Sequence, residues 1–282
     1  MKVIYIIFLL VLSGFSSLVN AALDPAKEMG MLAHKALYDI KLSTKKSSSN
    51  ISNISGKMFY EWQPSCDAWI SNHRFDMLYE YAQSPSVRVT SDFSTYESFD
   101  GKSFNFTLQR KRGGMVFEEV RGSANAGEKD YPDEVIYSIP KELVFNLPEG
   151  TLFPTAHTLA VLDKIKAGDK FYKATIFDGS DAKGPVDINS LILSNEAAYI
   201  PAIGNNKHIN KDLIKAKGWN MRLAFFPLND FEITPDYEMS MVFHENGVIS
   251  DMDVDYGDFS VTQKLIAIEP LDDACLTDID KE

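Results

Sequence analysis

From Lys35 onward the chain is written in a period of two. ALYDIKL, GKMFYEW, DAWISNHRFDMLYEY, VRVTSDFSTY, SFNFTLQR and MVFEEVRG follow one another. Each is rich in aromatic and β-branched side chains, with apolar residues alternating against polar ones, the signature of half-buried strands. The breaks between them, among them QPSC, AQSPS, FDGK and KRGG, are of turn type. The Ser-rich tract at 43–56 reads as a mobile hairpin loop. Short turns make antiparallel neighbours, and no strand–helix alternation calls for a parallel sheet.

The pattern resumes later with KFYKATIFDG, VDINSLIL and WNMRLAFFPL. It ends in YEMSMVFHENGVISDMDVDYGDFSVTQKLIAIEP, three strands joined by tight turns, with Asn246-Gly247 read as a type I′ hairpin. One segment breaks the period. FPTAHTLAVLDKIKAGD has Pro154 at a first helical position, Thr158, Val161, Leu162 and Ile165 at helical spacing, and Gly168 as a stop. A shorter helix start, Asp24-Pro25, lies near the beginning. Roughly twelve to fifteen strand candidates thus stand against one or two helices. The expected fold is all-β dominated: a long antiparallel sheet that must curl, rolled into a barrel or spiral whose helix plugs the inside or caps an end. Such a helix is either core or the wall of a cavity for an acyl chain or peptide.

The first residues set the compartment. MKVIYIIFLLVLSGFSSLVNA has one positive charge, an apolar block and a small-residue exit, which is the layout of a secretory signal peptide cleaved after Ala21. The block breaks at Ser13-Gly14, short of the roughly 20 residues that span a bilayer. The expectation is therefore an exported protein, with residues 22–282 as a single domain and no span after cleavage. The chain carries a formal charge of −12 and no basic stripe, which argues against nucleic acid as a partner.

Export bears on the two cysteines, Cys66 and Cys275. In an oxidising compartment an even pair reads most simply as one disulfide, with two buried thiols or one reactive thiol as alternatives. Neither cysteine has the spacing of a zinc site.

The segments that hint at chemistry are weak. Asp251, Asp253 and Asp255 alternate as in a calcium loop, but Tyr256 and Thr262 occupy the places where such a loop needs Gly and Glu. Met252, Val254 and Tyr256 between them read as one buried face, which leaves the aspartates on the wet side. FHENG holds half of a zinc-protease pattern without its second histidine, so His244 reads as a strand-end residue. His157 sits on the apolar-rich helix. No G-x-S-x-G, S-x-x-K or obvious carboxylate pair is present, so no catalytic residue, metal or cofactor is assigned. A hydrolase would instead need His73, His157 or His244 to meet a carboxylate or hydroxyl in space.

Taken together, GKMFYEW before a Cys, FDGKSFNF, FEEVRGSA, LFPTAHTLAVLDKIKAGDKFY, IFDGSD and YEMSMVFHENGVISDMDVDYGDFSV resemble the periplasmic cell-envelope integrity family called EipB. The likeness runs from about His34 to Ile268, and the order and spacing of the segments carry it. It implies a periplasmic β-spiral, a sheet overlapping itself around one central helix, with a disulfide joining Cys66 to Cys275. It also implies a role in resisting envelope stress in Gram-negative bacteria, with no enzymatic activity or ligand attached. The resulting expectation is a non-enzymatic protein that binds a protein partner or an apolar envelope component such as a lipid or lipoprotein. An exported hydrolase acting on a cell-wall or lipid substrate is the alternative.

Overall fold

The structure is a computed structural model and describes residues 30–128, 131–194, 207–215, 217–228 and 234–271. The segment expected to be a signal peptide, the expected Asp24-Pro25 helix start and Cys275 lie outside the described residues. Fourteen strands form one antiparallel sheet. In chain order they are β1 (His34–Lys45), β2 (Ile51–Pro64), β3 (Ala68–Tyr81), β4 (Val87–Ser98), β5 (Ser103–Arg112), β6 (Met115–Asn125) and β7 (Glu134–Ile139). They continue with β8 (Val144–Asn146), β9 (Phe171–Ile176), β10 (Val186–Ser194), β11 (Gly218–Pro227), β12 (Tyr237–His244), β13 (Ile249–Asp255) and β14 (Phe259–Pro270). Among the described residues one helix, α1 (Pro154–Ala167), lies between β8 and β9.

Two meanders meet at the middle of this sheet. The spatial order runs from β8 down to β1, crosses to β14, and returns to β9. The β1–β14 pair, with His34 opposite Pro270, therefore joins the two ends of the described chain. Alternation explains the strands: His34, Ala36, Tyr38 and Ile40 are buried in turn along β1 while their neighbours are not. The sheet does not close by strand pairing, and β8 and β9 are its edges. The chain after β8 nonetheless reaches β9. Leu152 forms an isolated parallel bridge with Ile176, with its N–H donating to the Thr175 carbonyl at 2.9 Å.

The helix begins and ends where its residues dictate. Pro154 supplies a preset first-turn φ, and Gly168 takes the left-handed conformation, its N–H donating to the Ile165 carbonyl at 3.0 Å. Val161, Leu162 and Ile165 enter the main core with Trp62, Trp69 and Trp219, while Lys166 and Ala167 at the helix end are exposed. A second core gathers Phe104, Phe106, Val120 and Tyr137 around Phe153 and Phe177. The Phe106 ring lies between two glycines. A Cβ on Gly122 would stand 2.6 Å from it, and one on Gly179 would stand 2.5 Å away.

Three local expectations need correction. The Ser-rich tract is not all loop: β1 runs to Lys45, β2 starts at Ile51, and fully buried Ile54 holds the second half in the sheet. The Asn246-Gly247 turn is not type I′, since only Gly247 has positive φ. Gly247 N–H donates to the His244 carbonyl, and His244 N–H to the Val248 carbonyl, each at 2.9 Å, which makes a three-residue loop with a glycine bulge. The two-residue turn with both φ positive is instead Gly113-Gly114, between β5 and β6. Finally, β7 and β8 are strands that the sequence reading passed over.

Candidate functional site: an interior chamber and its mouth

Because inward side chains recur every second residue, β1 to β4 line up rings across the sheet. His34, Tyr60, His73 and Phe93 stand side by side, with successive centroids 5.5, 4.8 and 5.8 Å apart. Register explains the last two steps, since Tyr60 faces His73 and His73 faces Phe93. This row forms one wall of a cavity of about 530 Å³. Met239, Phe243, Met252 and Val254 from β12 and β13 face it, and Pro154, Thr155 and Thr158 of α1 complete it. The size and the apolar, aromatic lining match those of small-molecule sites.

Polar groups interrupt this lining, among them His34, His73, Gln263, Arg110, Asp178 and Asp181. The His34 ring lies with Nδ1 2.7 Å from the Leu32 carbonyl, so Nδ1 carries the proton and Nε2 is left as an acceptor. That Nε2 is buried without a partner, as is the Gln263 side-chain oxygen. His73 Nε2 lies 3.4 Å from Ser71 Oγ, which lies 2.8 Å from Thr95 Oγ1. Burial pushes the His73 imidazole down to about 4, so it is neutral at pH 7. A base that weak, with no carboxylate hydrogen-bonded to it, is poorly matched to activating Ser71, since general bases work best near the operating pH.

Glu97 anchors the floor. Its carboxylate accepts the backbone N–H groups of Thr155 and Ala156, each at 2.7 Å, and so caps a helix whose own N-cap, Phe153, has no side-chain acceptor. Burial pushes Glu97 up to about 7, while these N–H groups pull the other way. At the opposite wall Arg110 bonds Glu118 at 2.6 Å and the Ser180 carbonyl at 3.0 Å. Burial also raises Asp178, which accepts the Ser180 N–H at 2.8 Å.

The chamber opens into a groove of about 880 Å³ that shares Phe75, Ser91, Arg110 and Tyr256 with it. Tyr79, Tyr81, Val89, Arg112 and Phe117 line this mouth.

Of the three histidines singled out from the sequence, only His73 lines the chamber. His157 is buried on α1, stacks on Tyr172 with centroids 6.1 Å apart and is pushed down to about 4. His244 ends β12, fully buried, with Nε2 2.8 Å from Ser250 Oγ. Met252 and Val254 are buried as expected, but Tyr256 is half exposed at the mouth. Asp251 lies 3.9 Å from Lys264, and Asp255 accepts the Gly257 N–H at 2.8 Å. Among the described residues no three His, Cys, Asp or Glu groups converge as a metal set. Cys66 lies in the turn after β2 and is not without a partner. Sequence reasoning missed His34, Glu97 and Arg110.

No helix among the described residues is long and apolar enough to cross a membrane. The EipB-like family model matches residues 25–272. The cell envelope integrity protein EipB of Brucella abortus (strain 2308) is 30% identical over 262 residues, covering 92% of this chain and 90% of that relative. A crystal structure of a beta-barrel-like protein from Brucella abortus, a domain of unknown function, matches with a TM-score of 0.78 and 31% identity. That match covers 86% of this chain and 99% of the other.

Proposed function

This chain belongs to the EipB-like family, and on that premise we propose that it maintains the cell envelope from the periplasm by holding an apolar envelope component, a lipid or lipoprotein acyl chain, in its interior chamber. The observation that carries the reading is the cavity of about 530 Å³, walled largely by aromatic and aliphatic side chains and adjoined by a mouth that carries tyrosines, Phe117 and two arginines. The role is holding rather than turnover, and the neutral, weakly basic His73 supports that. Export follows the signal peptide at 1–21, and residues 22–282 work as one domain.

The sheet acts as a spiral that overlaps itself. The packing of Phe106 against the chain at Gly179, and the Leu152–Ile176 bridge, support this form. A disulfide between Cys66 and Cys275 fastens the ends. The β1–β14 pairing supports it, because Trp62 and Pro270 both flank His34, at the end of the sheet where the Cys66 turn lies. Five residues beyond Pro270 span up to about 17 Å when extended, enough to cross two strand spacings of roughly 5 Å.

The test is uptake of N-phenyl-1-naphthylamine by the oxidised mature protein, followed by displacement with a fatty acid or lysophospholipid. Enhanced fluorescence that the competitor reverses, and that Ser91→Trp suppresses by plugging the neck, supports the reading. A folded protein that never enhances the probe contradicts it.

A further inference from the structure

The β5–β6 hairpin ends in an exposed apolar surface. Met115, Val116 and Phe117 are consecutive and exposed at 76%, 49% and 48%. A run of three exposed apolar residues on a protein of this charge is costly to keep without a use. Lys111 and Arg112 precede them, neither with a carboxylate partner among the described residues, and Glu118, paired with Arg110 at 2.6 Å, and Glu119 follow. The Arg112 guanidinium lies 4.9 Å from the centre of the Phe117 ring. The turn itself is the tight Gly113-Gly114 pair, which projects the two strand ends together.

We propose that this hairpin tip docks the protein onto a bilayer surface rich in anionic phospholipid, with Met115, Val116 and Phe117 entering the headgroup region and Lys111 and Arg112 on the phosphates. Charge decides between a bilayer and other apolar partners. The chain as a whole carries −12 and is repelled by such a surface, so contact is confined to a place that is locally cationic and apolar together. Apolar burial and attraction to anionic lipid act additively in interfacial binding. Position gives the docking its use. Phe117 and Arg112 line the mouth of the chamber beside Tyr79 and Tyr81, and tyrosine is favoured at membrane interfaces. A docked tip therefore turns the opening toward lipid, so that an acyl chain passes between bilayer and chamber without crossing water. The docking stands independently of the chamber's occupant, and only this transfer rests on the proposed function.

The experiment is flotation of the mature protein with vesicles of phosphatidylcholine alone or with added phosphatidylglycerol. Wild type is expected to float with the anionic vesicles, at least tenfold less with the neutral ones, and less at high salt. Met115→Asp with Phe117→Asp is expected to cut flotation at least tenfold, and Lys111→Glu with Arg112→Glu to abolish the anionic preference, with thermal unfolding unchanged. Phe171→Asp, at a β9 phenylalanine exposed at 56%, is the control and should float like wild type. Failure of wild type to float, tip variants floating normally, or the control falling as far as they do would each overturn the proposal. Naphthylamine uptake without vesicles separates the two ideas, because the single variants Met115→Asp and Lys111→Glu, at residues outside the chamber and its mouth, should weaken flotation and still load the chamber.

Discussion

The carboxylate of Glu97 on β4 accepts the backbone N–H of Thr155 at 2.7 Å, across 58 positions of sequence, and so starts the helix from a strand. Glu97→Ala would leave one buried and one part-buried N–H group unpaired and is expected to destabilise by about 2–4 kcal/mol. The proton adds a pH signature. Burial raises Glu97 from 4.5 to about 7, so the folded protein holds this proton more tightly than the unfolded chain. The resulting stabilisation, about 3 kcal/mol, is complete below pH 4.5 and lost as pH rises to 7. Urea melts of Glu97→Gln between pH 5 and 7.5 should lack this loss, so the variant should gain stability relative to wild type as pH rises.

The buried histidines work in the opposite direction. His73 and His157 are each pushed by burial from 6.5 to about 4, and burial lowers His34 too. Their neutral forms stabilise the fold fully above pH 6.5, and that contribution is lost as pH falls toward 4. Below pH 6.5 three imidazoles outweigh one carboxyl, so wild type should weaken on acidification. His73→Phe combined with His157→Leu should flatten the fall, measured as the slope of unfolding free energy between pH 6.5 and 5.

The proposed Cys66–Cys275 disulfide would close a loop of about 210 residues, for which chain entropy gives an upper bound of roughly 5 kcal/mol. Cys66→Ser, or reductant on wild type, should lower the melting temperature by several degrees. Insensitivity to reductant in the oxidised protein would contradict the pairing.

Gly179 combines φ of 69° with a site where a Cβ would lie 2.5 Å from Phe106. Gly179→Ala should cost about 2–4 kcal/mol from backbone strain and overpacking together. Adding Phe106→Leu should recover part of the steric share, which denaturant melts of the single and double variants would separate.

Local signals were legible where a rule acts within a few residues. The alternation of Ala36, Tyr38 and Ile40 placed β1, and Pro154 with Gly168 bounded α1. The same rule applied to Val135 and Tyr137 would have found β7, but that strand has only 6 residues, and Pro140 follows it. The chamber was not legible. Nothing near Glu97 in sequence marks it as the cap of a helix 58 positions away, and His34 looks like any other inward residue of β1. Its role depends on Tyr60 and His73 arriving from two other strands, which is a property of register. The Asn246-Gly247 turn misled because the dipeptide specifies a left-handed glycine without specifying the loop length around it.

The central claim is an occupied chamber, and native mass spectrometry of protein gently purified from its own host cells tests it most directly. The account predicts an added mass of amphiphile size that releases on activation and is missing from Ser91→Trp. A spectrum showing the bare polypeptide in wild type and variant alike, from cells with an intact envelope, would contradict it.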